Sequence, residues 1–411
     1  MEVFLQKAKE SSAILSTLSG DIKNKVLLDM ADALISNSDL IEIENKLDMK
    51  SGEENDLSSA LMDRLFLDKN RIQGMATAIK EIAALKEPTG RTLEGWKTQT
   101  NLSIQKVTVP IGVVGIIYES RPNVTSDTAA LCFKSGNVCI LKGGKEAQHS
   151  NAIIAKVLQE VLKKNNLPEN IISLIPDNTR EGVANLIKQD KYIDLIIPRG
   201  GAALIKYISS NSSVPVIKHD KGLCHTYIHK DADSKKAIDV PLNAKCRRTG
   251  ICGAMETLLI DQEVASKFLP KLKQEFDKHA TVLRGCSEVQ KIIDVEVATE
   301  EDFNTEYLDN ILSLKIVNNI DEAIAHIRKY SSSHSDAIIT ENYTVAEKFL
   351  NSIDSACVYL NTSTQFTDGG EFGFGAEVGI STNKLHARGP MGVEGLTTYK
   401  FKIYSDGQTR A

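Results

Sequence analysis

Between Gly112 and about Ile228, short apolar runs alternate with segments of helical period, and this pattern restricts the fold more than any other feature. Val113–Tyr118, Val138–Leu141, Ile171–Ile175 and Ile193–Ile197 have strand length, while Ile153, Ile154, Val157, Leu158, Val161 and Leu162 mark one face of a helix between two of them. Runs that are apolar almost throughout suit strands covered on both faces, and crossovers of this length join parallel neighbours. The expectation is an α/β fold with a doubly wound parallel sheet, which takes ligands at the carboxyl ends of its strands.

Two strand ends carry the residues such a ligand needs. Leu141-Lys142-Gly143-Gly144-Lys145-Glu146 places glycines and two lysines between a strand and a helix, and Pro198-Arg199-Gly200-Gly201 repeats the arrangement. Amides at a helix start, with nearby cations, suit phosphate groups. Together they favour a nucleotide, although G-x-G-x-x-G is absent and GFGAEVG at Gly373–Gly379 is one residue too long. Upstream, YESRPNVT at Tyr118–Thr125 ends a strand on a proline that can open a helix, with Arg121 able to grip phosphate or carboxylate bidentately. KHDKGLCHTYIH at Lys218–His229 is expected to close this sheet region. Its His219, Cys224, His225 and His229 match no short zinc spacing, so a packed strand is the simpler reading and no metal is expected.

Before the sheet, the chain to about Ala84 is helical, with Asp21 a cap for a helix whose apolar face carries Ile22, Val26, Leu27, Met30, Ala31 and Leu34. Leu102, Ile104, Val107 and Val109 form an extended arm. A second α/β unit runs to about Asn361, with strands at Leu314–Val317, Ala337–Ile339 and Val358–Leu360 and a helix at Asp321–Tyr330. At the end, Tyr399, Phe401 and Ile403 alternate with Lys400 and Lys402, as in an edge strand that needs a partner. At 411 residues the chain suits two or three domains. With 49 basic and 54 acidic residues it has no electrostatic footprint for nucleic acid or anionic membrane, so the expected partners are small molecules. Seven scattered cysteines, no secretory signal and no apolar run of membrane length fit a reducing cytoplasm.

The chemistry centres on Asn243–Ile260, NAKCRRTGICGAMETLLI. Small residues flank Cys252, so a substrate carbonyl could approach the sulfur. Lys245, Arg247 and Arg248 are close enough in sequence to stabilise a thiolate nucleophile. The alternative is an ordinary buried cysteine. Met255–Ile260 follows as a buried strand.

NAK, a basic residue, Gly-x-Cys and AMETLL, with YESRPNVT and KLHARGPMG, resemble the gamma-glutamyl phosphate reductases (glutamate-5-semialdehyde dehydrogenases), a branch of the aldehyde dehydrogenase superfamily. Thr249 and Gly253 replace the proline and asparagine found in many members. The resemblance implies an NADPH-dependent reduction of L-glutamyl 5-phosphate to L-glutamate 5-semialdehyde through a Cys252 thioester, the second step of proline biosynthesis from glutamate. It also implies a Rossmann-like NADP-binding domain over 1–228, a catalytic domain over 229–368 and a tail over 369–411. Residues 98–109 and the tail would form a small β arm that joins subunits into a dimer or tetramer. Lys142, Gly143, Lys145, Arg199, Gly200, Gly201 and Glu306 would hold the cofactor. Arg121, Asn123, Arg248, His334, Ser381 and Thr382 would hold the substrate, with Asp336 near them. A transient contact with glutamate 5-kinase is left open. Glu119 stands where most aldehyde dehydrogenases place an oxyanion asparagine, and His219 or Asp220 where they place the water-activating glutamate. The rival readings are therefore a hydrolytic aldehyde dehydrogenase, disfavoured by that last substitution, and a catalytically silent nucleotide-binding subunit.

Overall fold

The structure is a computed structural model that describes residues 2–177, 179–218 and 221–410. Five helices lead the chain: α1 (Glu2–Leu15), α2 (Gly20–Ser36), α3 (Ser38–Glu54), α4 (Ser59–Leu65) and α5 (Lys69–Ala84). The cap of α2 is Ser19, whose hydroxyl accepts the Ile22 amide; Asp21 instead lies in the first turn, where a carboxylate complements the helix dipole. Val26, Leu27, Met30, Ala31 and Leu34 are buried as expected, but Ile22 is exposed and its neighbour Lys23 is buried. Periodicity misplaced this turn because Lys23 has partners inside. Its ammonium donates to Glu87 and, at 3.1 Å, to the Lys134 carbonyl. Lys134 is itself buried and donates to Asn24 and to the Ala83 carbonyl, and burial lowers its pKa. Buried ammonium groups persist only where hydrogen bonds replace water in this way.

The parallel sheet then follows: β1 (Thr92–Lys97) and β2 (Ser103–Pro110) precede it, and β3 (Val113–Tyr118), α6 (Pro122–Lys134), β4 (Val138–Lys142), α7 (Gln148–Lys164), β5 (Ile172–Leu174), α8 (Arg180–Leu186), β6 (Leu195–Arg199) and α9 (Ala202–Asn211) build it. Its strand order is β5-β4-β3-β6, all parallel. The chain winds outward from β3 to β5 and then returns to the other flank of β3, so the winding direction reverses between β3 and β6. All six expected apolar positions of α7 are buried.

The second sheet is built from β7 (Cys224–Ile228), α10 (Lys236–Cys246), β8 (Met255–Asp261), α11 (Gln262–Lys278), β9 (Val282–Gly285), α12 (Ser287–Gln290), β10 (Glu296–Val297), β11 (Ile311–Val317), α13 (Ile320–Tyr330), β12 (Ser335–Ile339), α14 (Tyr343–Ser352) and β13 (Cys357–Leu360). Its order is β10-β9-β11-β8-β7-β12-β13. β7 therefore does not close the first sheet; it pairs with β8 and β12 in the second, a choice of neighbour that an apolar run cannot encode. On β8, Leu258 and Ile260 pack with Phe268, Leu272 and Phe276 of α11, while Leu259 packs with Ile324, Ile327 and Phe349 of α13 and α14. Period-two alternation thus covers both faces with helices.

β14 (Ile380–Ser381) and β15 (Gly389–Pro390) form a short ladder, and β16 (Thr397–Tyr404) ends the ordered elements. β16 pairs antiparallel with β2, which also pairs with β1, giving a three-stranded sheet β1-β2-β16. Trp96, Tyr399, Phe401 and Ile403 are exposed on this sheet, with Trp96 and Phe401 edge to face at 6.1 Å. Two compact units result, one comprising Met1–Lys218, Gly373–Gly379 and Met391–Ala411, the other His219–Phe372 and Ile380–Pro390. Among the described residues no helix is long and apolar enough to cross a membrane.

Candidate active site

Cys252 lies on the turn between α10 and β8, half-exposed, while Gly253 and Ala254 beside it are buried. The Ala254 amide closes the turn on the Ile251 carbonyl at 3.0 Å. Two further bonds hold the main chain of the cysteine. The Cys224 thiol, at the start of β7, donates to the Cys252 carbonyl at 3.1 Å, and the Thr364 hydroxyl donates to the Gly253 carbonyl at 2.7 Å. Gly222 backs the same peptide so closely that a Cβ there would fall 2.2 Å from the Cys252 oxygen and 2.5 Å from its Cα. Gln365 secures the basic loop from the other side, donating to the Ala244 and Arg248 carbonyls while accepting from Arg247.

Of the three basic neighbours, Lys245 is withdrawn from the thiol. It is fully buried and pairs with Glu256 at 2.6 Å, whereas Arg247 and Arg248 are exposed. Burial pushes the Glu256 carboxyl up to about 7 against the pull of Lys245. Sequence proximity pointed to Lys245 because it could not show that the end of α10 faces inward.

Glu306 is half-buried and accepts the Gly222 amide on Oε1 at 2.8 Å; burial raises its pKa and this bond opposes the rise. The glutamate and the nucleophile candidate thus share one glycine. His334 is fully buried, with Nδ1 2.9 Å from the Ser335 hydroxyl and 3.6 Å from the Cys224 sulfur. It belongs to the network under the Cys252 carbonyl, and Asp336 hydrogen-bonds the His225 ring, Ser331 and Ser355. His229 meets Thr340, so each histidine and Cys224 of this strand has a partner within the fold. Ser381 is buried in the β14–β15 ladder and accepts the Asn383 amide; Thr382 beside it is half-exposed. Asp354 holds the following KLHARG loop through Lys384 and Arg388. His219 and Asp220 lie outside the described residues.

In the other unit, Lys142 ends β4 and is buried, 3.3 Å from the Gly143 carbonyl; desolvation lowers its pKa. Lys145 is exposed. Gly143 is required there, because a Cβ would fall 2.2 Å from the Asn151 amide nitrogen. A cavity of about 440 Å³ adjoins this turn, lined by Gln148, Asn151, Lys156, Leu174 and Pro176 among others. At the second glycine turn the Glu119 carboxylate accepts the Gly201 amide at 2.8 Å and lies against Gly200. Arg121 and Asn123 are exposed at the start of α6, and Asn123 donates to Asp127.

The aldehyde dehydrogenase family profile matches residues 2–290. The gamma-glutamyl phosphate reductase of Sulfurimonas denitrificans is 66% identical over 411 residues, covering 100% of both chains. That of a Sulfurovum species is 65% identical over 410 residues, again with 100% coverage of both. The crystal structure of gamma-glutamyl phosphate reductase from Thermotoga maritima superposes with a TM-score of 0.97 at 44% identity, covering 99% of each chain. The chain belongs to the gamma-glutamyl phosphate reductases of the aldehyde dehydrogenase family. An acetylating aldehyde dehydrogenase from Geobacillus thermoglucosidasius, at 19% identity and a TM-score of 0.70, shares the fold of this family.

Gly222, Thr364 and Gln365 escaped the sequence reading, and Cys224 entered it only as a zinc ligand that the spacing disfavours. Only Gly222 left a signal there, a glycine shortly before a strand, where close backbone approach is one standing explanation. Gly222→Ala should still fold yet lose about 100-fold or more in kcat, because the Cys252 main chain must shift to admit the methyl group. Steady-state kinetics beside a thermal melt measure this, and activity within threefold of the parent would show that the contact is not limiting.

Proposed function

We propose that this chain reduces L-glutamyl 5-phosphate to L-glutamate 5-semialdehyde and phosphate with NADPH, using Cys252 as a covalent nucleophile. The observation that carries the residue assignment is the half-exposed Cys252, whose main chain is gripped by Gly222, Cys224 and Thr364 and linked through Gly222 to Glu306. The full-length likeness to the named reductases supports the substrate.

The Cys252 thiolate attacks the acyl phosphate carbon, the carbon–oxygen bond to phosphate breaks, and a thioester remains on the enzyme. NADPH, when bound, supplies the hydride that reduces this thioester. The resulting thiohemiacetal on Cys252 collapses, releasing the aldehyde and returning the thiolate. Arg247 and Arg248 are the exposed cations of the nucleophile loop and favour an anionic substrate approaching it, with Arg121 and Asn123 of α6 as further substrate contacts. Ser381 and Thr382 offer hydroxyl groups to the same substrate, and His334 acts by supporting Cys224 beneath the nucleophile.

The residues present fit the cofactor. Lys142 is a buried ammonium whose hydrogen bond among the described residues goes to the Gly143 carbonyl, with the Asp177 and Glu146 carboxylates only partly opposing its desolvation, and a phosphate would restore what burial removed. Lys145 adds a second cation at the same turn, and the adjoining cavity has room for an adenosine moiety. At Glu306, Oε1 is taken by Gly222 and Oε2 remains to accept ribose hydroxyls. The exposed aromatic face of β1-β2-β16 supports assembly into a dimer or tetramer. None of the seven cysteines is in a disulfide among the described residues, which favours a reducing cytoplasmic setting. Supply of so labile an acyl phosphate favours a transient contact with glutamate 5-kinase.

Run from glutamate 5-semialdehyde and NADP, sustained turnover should require inorganic phosphate to take the acyl group from Cys252. Without phosphate, a burst of about one NADPH per active site should appear and then stall, and Cys252→Ala should show neither phase. Continued NADPH formation in phosphate-free buffer, with glutamate as product, would identify a hydrolytic enzyme. Lys142→Ala/Lys145→Ala should weaken NADPH binding by about tenfold or more while changing NADH little, since only NADPH carries the additional phosphate; equal losses in fluorescence titrations would remove the lysines from this role. Deleting residues 396–411 should give a monomer on a sizing column, and unchanged elution would rule out the β1-β2-β16 sheet as the assembly surface.

A further inference from the structure

The start of α7 carries a side chain that two other elements hold in place and whose donor group is left over. Asn151 lies in the first turn of α7, is 2% exposed and lines the cavity of about 440 Å³ beside the Lys142 turn. Its Oδ1 accepts the Thr125 hydroxyl of α6 at 2.9 Å, and the Thr125 hydroxyl is 2.7 Å from that of Tyr118, the last residue of β3. All three side chains are buried, and all belong to the unit that contains the first parallel sheet.

The direction of the protons along this chain is fixed by the number of donors in it. Burial pushes the Tyr118 phenol up, so it keeps its proton, and among the described residues the Thr125 oxygen is the one acceptor within reach of it. Thr125 then has its single proton for Asn151, and the atom that meets this proton must be the carbonyl oxygen rather than the amide nitrogen. Asn151 is therefore held with its NH2 group turned away from α6. Nδ2 lies against Gly143, where a Cβ would fall 2.2 Å from it, and it makes no hydrogen bond among the described residues. A buried amide nitrogen without an acceptor costs stability that an acceptor in the cavity would restore.

We propose that Asn151 Nδ2 donates to the 2′-phosphate on the adenosine ribose of NADPH, at the turn that also holds Lys142. The inference rests on NADPH as the cofactor and deepens that reading by adding a neutral donor to its cations. Lys142 Nζ is 3.3 Å from the carbonyl of Gly143, and Asn151 Nδ2 lies against the Cα of the same residue, so two donors flank one glycine. Neither offers an acceptor: an ammonium has none, and the Asn151 oxygen is taken by Thr125. Adenine and the ribose hydroxyls bring donors of their own, whereas a dianionic phosphate brings acceptors alone and is best matched by donors alone. The absence of a side chain at Gly143 fits the same account, since one would displace the Asn151 nitrogen.

The test measures binding rather than turnover, by calorimetric titration of the full chain with adenosine 2′,5′-bisphosphate and adenosine 5′-monophosphate and by fluorescence titration with NADPH and NADH. The parent should prefer the bisphosphate and NADPH. Asn151→Asp keeps the size of the side chain and an oxygen for Thr125 but puts an anion in place of the donor, while Asn151→Leu and Asn151→Ala remove the donor without adding charge. Each should weaken the bisphosphate and NADPH by about tenfold or more and change the monophosphate and NADH by less than about threefold. Melting curves identify any variant that fails to fold, and the two neutral replacements of different size keep the comparison open if one does. Equal losses for ligands with and without the 2′-phosphate, no loss for either, or a loss confined to Asn151→Asp overturn the inference, while the parent's preference for NADPH leaves the cofactor reading standing. A parent that binds NADPH and NADH equally removes that reading and this inference together.

Discussion

In the proposed mechanism the chemistry depends on how the main chain at Cys252 is held. The sulfur hangs on one rotatable bond from a peptide whose carbonyl is bonded by Cys224, whose successor is bonded by Thr364, and whose far side is pressed by Gly222. These restraints come from the edge of β7 and from the turn after β13, so the second sheet serves as a jig for one residue. Such positioning is costly to lose, since an error near 1 Å at a reacting atom costs about two orders of magnitude in rate. The hydrogen bonds are individually modest, and their value lies in converging on two adjacent peptides.

Charge is distributed by a consistent logic. Lys245 with Glu256, and Lys23 with Glu87, are charges satisfied within the fold. Removing one partner from a fully buried pair such as Lys245 with Glu256 costs about 3–5 kcal/mol, so those two residues read as structural. Glu119 satisfies the start of α9 in the same internal way. Lys142 and Lys134 are both withdrawn from water without a counter-charge bonded to them, but Lys134 is satisfied by Asn24 and the Ala83 carbonyl, whereas Lys142 has a single long bond to the Gly143 carbonyl.

The first sheet could be read from sequence because its strands are nearly continuous apolar runs and α7 shows one clean stripe. The Cys252 turn could be read because small residues, a strand and a family motif coincide there. Where the reading missed, the missing information was three-dimensional. β7 has the same local pattern whichever sheet it joins. Ile22 and Lys23 exchanged places because Glu87 and the Lys134 carbonyl lie far away in sequence. Lys245 and Arg248 look alike as basic neighbours of Cys252, yet one points into the core and the other to solvent. The contacts of Gly222 are invisible in sequence, since a steric restraint on a neighbouring backbone has no residue type of its own beyond glycine.

β16 completes its sheet by pairing Thr397 with Pro110, across an interval that contains the whole parallel sheet of one unit and all of the other. At typical rates of translation that interval takes roughly 15–60 s to emerge. For that time β2 presents an open edge, and its unit cannot reach its final topology. The seven-stranded sheet, whose last strand ends at Leu360, is free to form first. A nascent chain of this design holds an unfinished, sticky ribbon while its interior module matures, so its yield in the cell is set as much by what shields residues 103–110 during synthesis as by the stability of the finished protein.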